Sequence, residues 1–332
     1  MLITPQYDPL KDFSVTGITP IVSQKRKIIC FSDFDGTIFM QDTGHILFDA
    51  HGCGSARREK LEAQLSSGER SFRDVSEEMW GSLNVPFEDG FEVMKEKLEI
   101  DPDFQTFHKF CVDEGIPFNV ISAGLKPILR AVLDEFLGEE ESQHIEIVAN
   151  DAEINPDGST WTPIWRHDTP LGHDKALSIT EYREQAAASL KHDPSQNHTL
   201  QPVETIPLIV FIGDGVSDLP AAREADVLFA RRGLRLEEYC IENKIKYIPF
   251  DTFADIEREV VKIQSEDEDA TRGLGKPARF NPRANMWRRV SSQAAVPRLV
   301  AATPSKEQKM FLWPDAFSEL KGTPTIVEAV AA

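Results

Sequence analysis

The sequence predicts an α/β fold in which a mainly parallel sheet is covered by helices on both faces. Short apolar, β-branched segments recur along the chain, and segments with helical periodicity separate them. Such alternation is typical of βαβ units, because parallel strands need a crossover connection. One long, charged stretch of helical pattern follows the first strand, so we expect a helical insert between the first and second core strands.

Six apolar segments fit buried strands of a parallel sheet. They are Lys27–Ser32, Ile116–Ile121, Ile145–Ala149, Pro207–Ile212, Asp226–Ala230 and Lys246–Phe250. The helical patterns between them are Lys126–Leu137, Asp174–Leu190, Ser217–Glu224, Leu236–Asn243 and Thr252–Gln264. Asp157–Gly158 has the chemistry of a tight turn, so residues 151–166 predict a β-hairpin.

These patterns divide the chain into four parts. We expect a loose N-terminal lead-in at residues 1–26 and an α/β core formed by residues 27–41 and 111–265. The helical insert is expected at residues 42–110, and a flexible C-terminal extension at residues 266–332. The extension has seven Lys/Arg residues and no acid between Thr271 and Arg298. Two interpretations stay open: a solvated segment, or a basic arm for an unknown partner.

Composition excludes several classes of protein. The 332 residues are 41% hydrophobic, enough for a full core, and contain no apolar run long enough to span a membrane. The net charge of -19 disfavours general binding to nucleic acid. The four cysteines are far apart, which disfavours a zinc site or a disulfide framework. With no secretory signal evident, we expect a cytoplasmic protein without membrane or nucleic-acid partners.

The segment DFDGT (Asp33–Thr37) directly follows the first predicted strand. A carboxylate at a strand end can attack phosphorus and form an acyl phosphate. A second carboxylate two residues on lies on the same side of an extended chain, where it can protonate a leaving alkoxide and later deprotonate water. Gly36 permits a sharp turn out of the strand. The alternative is an ordinary turn with two solvated acids.

Two later segments offer groups that bind an anion. Ser122–Gly124 follow the second predicted strand, where a hydroxyl and backbone N–H groups can hold phosphate oxygens. Lys175 opens a predicted helix in the sequence GHDK, where a fixed cation and the helix N-terminus would stabilise a transferring phosphoryl group. Each segment alone also fits a common strand end or a solvated lysine, and His173 fits a loop or capping residue.

The segment GDGVSD (Gly213–Asp218) follows an apolar strand and contains two further carboxylates, Asp214 and Asp218. Carboxylate oxygens are ligands that Mg²⁺ prefers, although Ser217 or Asp218 would also suit a helix N-cap. With Asp33 and Asp35 close by, an anionic nucleophile would be repelled by a phosphate dianion unless a divalent cation were present. The charge pattern therefore favours a divalent-cation site, and the alternative is an ordinary turn that leads into a helix.

In order and placement, these four segments resemble the motifs of the haloacid dehalogenase-like (HAD) phosphatases, over roughly Ile28 to Phe250. The insert resembles the cap of their phosphoserine phosphatase-like branch. The resemblance implies a HAD fold with a Rossmann-like core and Mg²⁺-dependent hydrolysis through an aspartyl-phosphate. It makes Asp33 the nucleophile and Asp35 the acid/base. The implied metal ligands are Asp33, Asp35 through its backbone carbonyl, Asp214 and Asp218. The implied phosphate-binding residues are Ser122, Ala123, Gly124 and Lys175.

The substrate is expected to differ from phosphoserine. In phosphoserine phosphatases, a Glu that binds the substrate amine occupies the position of Asp42 in this chain. Their cap also has an Arg that binds the substrate carboxylate. The only Arg in the comparable stretch of this chain is Arg73, which lies at the opposite end of the stretch. The residues of the motifs resemble those of fungal polyol-phosphate phosphatases and diketo-methylthiopentane-phosphate phosphatases more closely than those of phosphoserine phosphatases. We therefore expect a polyol or sugar-alcohol phosphate as substrate, with Asp42 and His45 near the mouth of the site. His45 also fits an exposed helix residue. Phosphoserine or methionine-salvage phosphatase, phosphotransferase and inactive binding protein remain as alternatives.

Overall fold

The computed structural model describes residues 28–189 and 207–271. Its sheet has the strand order β4-β3-β2-β1-β5-β6-β7, parallel except for the antiparallel pair β3/β4. In chain order the strands are β1 (Ile28–Ser32), β2 (Phe118–Leu125), β3 (Ile145–Ile154), β4 (Trp161–Ile164), β5 (Leu208–Gly213), β6 (Val227–Arg231) and β7 (Ile248–Phe250).

The helices fall into a group after β1 and a group that covers the sheet. The first group comprises α1 (Thr43–His51), α2 (Ser55–Ser66), α3 (Phe72–Gly81), α4 (Phe87–Lys97) and α5 (Phe104–Asp113). The second comprises α6 (Lys126–Leu137), α7 (Glu139–Ser142), α8 (Lys175–Ser189), α9 (Leu219–Glu224), α10 (Arg235–Glu242) and α11 (Phe253–Thr271), with a 3₁₀ turn at Val216–Asp218.

The α/β fold with a parallel sheet and a helical insert is confirmed. All six predicted strands are present, and residues 151–164 form the predicted hairpin, with Asp151 opposite Ile164 and Ile154 opposite Trp161. The second strand runs to Leu125 instead of ending at Ile121, because pairing with β3 resumes after a register shift. The third strand is also longer than predicted, since it continues directly into the hairpin.

Both faces of the sheet are buried. Along β1, Ile28 and Cys30 pack into one apolar cluster while Ile29 and Phe31 pack into the other, because alternate side chains of a strand point to opposite faces. This explains why the central strands have almost continuous apolar sequences. The polar residues that follow these strands are therefore held at one edge of a rigid sheet.

Helices α1–α4 form the cap, which packs on itself and on the hairpin. The rings of Phe48 and Trp80 meet edge to face at 4.6 Å inside it. From the hairpin, Trp161 Nε1 donates a hydrogen bond to the carbonyl oxygen of Val85 at 2.9 Å. A Cβ on Gly158 would lie 2.1 Å from the carbonyl carbon of Val85, so this close approach requires glycine.

The predicted domain boundaries stay predictions. Helix α5 spans the predicted boundary between residues 110 and 111, and its Phe104 contacts Phe118 and Phe253 of the sheet layer and α11. Helix α11 continues past the predicted boundary at residue 265 to Thr271, whereas the lead-in 1–26 and residues 272–332 lie outside the described residues. Within the described ranges, no helix is both long and apolar enough to cross a bilayer. The cytoplasmic location stays a prediction.

Candidate active site

The candidate site lies at the carboxyl ends of β2, β1 and β5. These strands are neighbours in the sheet, and the chain order reverses at β1, which leaves a crevice at this edge. The backbone N–H of Asp33 donates to the carbonyl oxygen of Ile212 at 2.9 Å, so β1 and β5 remain paired up to the first motif. Asp33 therefore occupies a fixed position at the centre of the crevice.

Asp33 is buried and hydrogen-bonded. Its Oδ1 accepts from the backbone N–H of Phe34 at 2.7 Å and lies 2.8 Å from Nζ of Lys175. Burial and the charges of Asp218 and Asp214 raise the pKa of Asp33, although Lys175 opposes them. An anion in this position is costly unless more positive charge is supplied.

Lys175 links two of the predicted carboxylates. Its ammonium lies 2.7 Å from Oδ1 of Asp218 and 2.8 Å from Oδ1 of Asp33, and the residue is only 4% exposed. Burial favours the neutral amine, but the charges of Asp218 and Asp33 outweigh it and hold the pKa of Lys175 above its usual value. Lys175 is therefore a fixed cation beside Asp33.

Asp218 is completely buried and holds the turn that follows β5. Its Oδ2 accepts hydrogen bonds from the backbone N–H groups of Asp214 and Gly215, both at 3.1 Å. Its other oxygen is engaged by Lys175. Asp218 thus positions both the Asp214 backbone and the lysine.

Asp214 faces the first motif. Its Oδ1 accepts from the hydroxyl of Thr37 at 2.8 Å, and burial together with the charge of Asp218 raises its pKa to about 7. A Cβ on Gly36, whose φ is +78°, would lie 2.4 Å from Oδ2 of Asp214, so glycine is needed for this contact. One carboxylate oxygen from each of Asp33, Asp214 and Asp218 lies within 4.8 Å of the others.

Asp35 is positioned separately from that cluster. Its Oδ1 accepts from the backbone N–H of Thr43 at 2.8 Å, at the start of α1. Burial and the charge of Asp42 raise the pKa of Asp35 to about 7, although the hydrogen bond from Thr43 lowers it. A carboxyl with a pKa near neutrality can both donate and accept a proton under physiological conditions.

The segment Ser122–Gly124 is held by two side chains whose structural role the sequence did not reveal. His173 Nδ1 lies 2.6 Å from the carbonyl oxygen of Ser122, and Asn150 Nδ2 donates to the carbonyl oxygen of Ala123 at 2.9 Å. His173 is 3% exposed, and burial lowers its pKa to about 3, so the ring is neutral. The Ser122 hydroxyl accepts from the N–H of Gly124 at 3.0 Å.

A cavity of about 350 Å³ joins these residues to the cap. Its size is in the range of small-molecule sites. The core contributes the predicted catalytic and phosphate-binding side chains, while the cap contributes a mainly apolar wall with a few polar groups. The cap residues that line it include Asp42, His45, Phe48, Glu62, Leu65, Phe72, Ser76, Met79 and Trp80.

Asp42 has a structural role as well as a place on the cavity. Its Oδ1 accepts from the N–H of His45 at 2.8 Å and so caps the N-terminus of α1. His45 lies against Glu62, with 2.9 Å between Nε2 and Oε1. The substrate-binding role of Asp42 stays a prediction.

Comparison with known proteins identifies the family. The family model described as haloacid dehalogenase-like hydrolase matches residues 30–223, which contain all four motifs. The chain belongs to this family. The predicted membership of the HAD phosphatases is thereby confirmed, and the chain is a hydrolase of the class that acts on phosphoric monoesters.

Curated relatives of this HAD hydrolase cover most of its described length. Pdp3-interacting factor 1 of Schizosaccharomyces pombe is 38% identical over 73% of this chain and 98% of its own length. Polyol phosphate phosphatase PYP1 of Saccharomyces cerevisiae is 35% identical over 69% of this chain and 91% of its own. A 2-hydroxy-3-keto-5-methylthiopentenyl-1-phosphate phosphatase of Bacillus mycoides is 27% identical over 68% of this chain and 92% of its own.

Solved structures share the fold at low identity. A probable phosphoserine phosphatase from Vibrio cholerae superposes with a TM-score of 0.52 at 17% identity, covering 75% of this chain and 67% of its own. A phospho-aspartyl intermediate analogue of phosphoserine phosphatase gives a TM-score of 0.50 at 15% identity, and the match covers 72% of this chain and 99% of that structure's chain. These likenesses show that the HAD hydrolase fold is shared.

Arg231 is a structural residue of the site that sequence reasoning missed. It ends β6, and its guanidinium donates to the carbonyl oxygen of Thr37 at 2.6 Å and to Oδ2 of Asp101 at 2.8 Å. The second contact joins residues 130 positions apart in the chain. A lone Arg at a strand end carries no signal of such a contact, because exposed arginines are common in the same place.

Proposed function

We propose that this HAD hydrolase is a Mg²⁺-dependent phosphatase of a polyol or sugar-alcohol phosphate, acting through an aspartyl-phosphate on Asp33. The observation that carries the proposal is the position of Lys175 between Asp33 and Asp218, beside Asp214. A buried carboxylate held next to a fixed cation at the end of a strand is suited to nucleophilic attack on a phosphoryl group.

The carboxylates support a divalent cation. Asp33 and Asp218, which are buried, and Asp214, which is half-buried, offer hard oxygen ligands, and the pKa values of Asp33 and Asp214 are raised. Such a cluster gains stability from a cation of high charge, and oxygen donors suit Mg²⁺. When bound, the ion would neutralise part of the charge on the carboxylates and phosphate. The backbone carbonyl oxygen of Asp35 completes the proposed ligand set on the strength of the family resemblance.

The first step is displacement at phosphorus. An Oδ atom of Asp33 forms a bond to phosphorus while the bond from phosphorus to the ester oxygen breaks. Asp35 gives its proton to the departing alkoxide, which leaves as an alcohol. Lys175 stabilises the negative charge on the phosphoryl oxygens, together with N–H groups of the Ser122–Gly124 segment.

The second step returns the enzyme to its starting state. Asp35, now ionised, takes a proton from water, and the water oxygen attacks phosphorus. The bond from phosphorus to Asp33 breaks, which releases phosphate and restores the carboxylate. The raised pKa of Asp35, about 7, supports this exchange of roles because both protonation states are accessible near neutral pH.

Two facts support a polyol phosphate as the substrate. The relative named for that activity is 35% identical over 69% of this chain. Polar cap residues also line the cavity, and they would bind hydroxyl groups of a leaving alcohol. The predicted small phosphorylated partner fits a cavity of about 350 Å³.

A methionine-salvage substrate is the second candidate. Its support is the apolar part of the cap wall, where Phe72, Met79 and Trp80 could surround a methylthio group. The relative named for that activity is 27% identical to this chain, which is lower than the 35% identity of the polyol phosphate phosphatase.

The proposal is tested by assaying the full chain against a panel of phosphate monoesters with Mg²⁺ and with EDTA. The panel contains glycerol, erythritol and ribitol phosphates, phosphoserine and the methylthiopentenyl phosphate. We expect kcat/KM to be highest for a polyol phosphate and activity to be lost in EDTA. Absence of turnover for every polyol phosphate would contradict the proposal. Transfer of phosphate to added alcohols instead of water would indicate a phosphotransferase.

A further inference from the structure

The cap side of the cavity contains two buried polar side chains that the proposed reaction does not use. Glu62 of α2 and Ser76 of α3 both line the cavity and are 7% and 4% exposed. Apolar cap residues, among them Phe48, Leu65 and Trp80, line the same cavity. Burying polar groups in such surroundings is costly unless something forms hydrogen bonds with them.

Glu62 is fixed through only one of its carboxylate oxygens. Oε1 lies 2.9 Å from Nε2 of His45 and accepts from Arg58 at 2.8 Å. No described residue forms a hydrogen bond with Oε2, although a carboxylate oxygen can accept two. Arg58 is itself fixed by both oxygens of Asp49, so the orientation of Glu62 is determined by a network within the cap.

Ser76 has no hydrogen-bond partner among the described residues. A serine inside a helix commonly bonds back to the carbonyl four residues earlier, as the hydroxyl of Thr180 does with Ala176 at 3.0 Å. Within the described residues, the hydroxyl of Ser76 forms no such bond to Phe72. It remains available to a ligand in the cavity that it lines.

We propose that Glu62 and Ser76 bind hydroxyl groups of the substrate's leaving alcohol and so select polyol phosphates, an inference that rests on the proposed phosphatase function. The free oxygen of Glu62 accepts a hydrogen bond from an O–H, and the Ser76 hydroxyl donates or accepts one. A substrate carboxylate at this place would be repelled by Glu62. The site therefore specifies an uncharged, hydroxylated chain beyond the phosphate.

Binding of substrate hydroxyl groups by Glu62 and Ser76 would discriminate strongly between substrates that have a hydroxyl group at this place and those that lack one. When a substrate lacks a hydroxyl, the buried groups that bind it lose their partners, so the enzyme discriminates against that substrate. The apolar residues beside Glu62 and Ser76 offer no compensating hydrogen bond. Alkyl and aryl phosphates should therefore be poorer substrates than polyol phosphates of similar size.

The experiment compares Glu62→Gln and Ser76→Ala in the full chain. The first replaces one acceptor oxygen by an amide group and keeps the length of the side chain. The second removes the hydroxyl. We measure the ratio of kcat/KM for glycerol 3-phosphate and erythritol 4-phosphate to that for propyl phosphate. This ratio should fall about tenfold in each variant, the effect of losing one hydrogen bond to a buried group.

Matched controls lie in the same cap but outside the cavity. Glu78→Gln changes a carboxylate that pairs with Arg57 and Arg70, and Ser67→Ala removes an exposed hydroxyl. Both should retain the wild-type ratio. An unchanged ratio in Glu62→Gln and Ser76→Ala would overturn the inference, even if their thermal stabilities fell. Phosphoethanolamine is assayed as well, and its preference over glycerol 3-phosphate would show that Glu62 binds an ammonium instead.

A binding measurement separates this inference from the proposed function. Calorimetry with glycerol 3-phosphate and Mg²⁺ is carried out on Asp33→Asn, alone and combined with Glu62→Gln or Ser76→Ala. Binding that weakens about tenfold in the double variants would support the inference even if the wild-type enzyme hydrolysed no polyol phosphate. Absence of binding, or equal affinity in all three proteins, would overturn it.

Discussion

The ammonium of Lys175 lies 2.8 Å from the carboxylate oxygen of Asp33, and both side chains are buried. The contact keeps the lysine in place before any phosphate arrives, so its orientation need not be established during the reaction. The same ammonium reaches Asp218 at 2.7 Å, which joins the first, third and fourth motifs in one network.

Replacing Asp33 by Asn should abolish turnover without unfolding the protein. An amide is a far poorer nucleophile than a carboxylate, so kcat should fall by at least about 10⁴-fold. The melting temperature of the metal-free protein should not fall much, because the pKa of Asp33 is raised by burial and by its acidic neighbours. Activity and thermal melts check both expectations. Asp113→Asn, at the exposed end of α5, is the matched control and should retain full activity.

Adding Mg²⁺ should raise the melting temperature of the wild-type protein. A ligand that binds only the folded state stabilises it by about 2.7 kcal/mol at a hundred times its dissociation constant. The increase should be much smaller in Asp214→Asn, which removes one oxygen of the acidic cluster. Melts in EDTA and in Mg²⁺ measure the difference. Equal increases in both proteins would place the metal elsewhere.

The stability contributed by His45 should depend on pH. Burial alone would lower its pKa, but the charge of Asp42 and the hydrogen bond and charge of Glu62 raise it to about 9. Because the folded-state pKa is above the ordinary value of 6.5, this stabilisation is complete below pH 6.5 and is lost as the pH rises to about 9. The melting-temperature difference between wild type and His45→Gln should shrink over that window. A difference that grows with pH would contradict the assignment.

Removing Arg231 should destabilise the fold strongly. Arg231→Met leaves Asp101, which is 1% exposed, as an unpaired buried charge, at a cost of about 3 kcal/mol or more in the free energy of unfolding. The double variant with Asp101→Asn should cost less than the sum of the two single changes. Urea unfolding measures all three. Arg258→Ala, an exposed residue on α11 paired with Asp255, should change stability by about 0.5 kcal/mol or less.

The sequence predicts which residues meet at the carboxyl ends of the strands, because the signals for the strand ends are local. Asp33 and Asp214 each follow a short apolar segment that fits a buried strand, and the pairing of β1 with β5 brings the ends of these strands together. The role assignments of these residues stay predictions. They depend on chemistry that the fold permits, which the experiments above test.

The cap end was not predictable in the same way. Glu62 lies in a highly charged helical segment, where every polar residue looks solvated, and the sequence does not show which side chain turns toward a cavity. The contact between Arg231 and Asp101 depends on tertiary packing between distant segments. His173 looked like a loop or capping residue, and only the structure shows it buried against Ser122.

The hydrogen bond from Trp161 to Val85 has a consequence for substrate entry. Swinging the whole cap away from the core would break this bond and expose an indole that is now 1% exposed, stacked against Phe87. The hairpin therefore acts as a latch at one corner of the cap. Any opening of the cap must therefore leave this corner in place or break the buried contact between Trp161 and Val85.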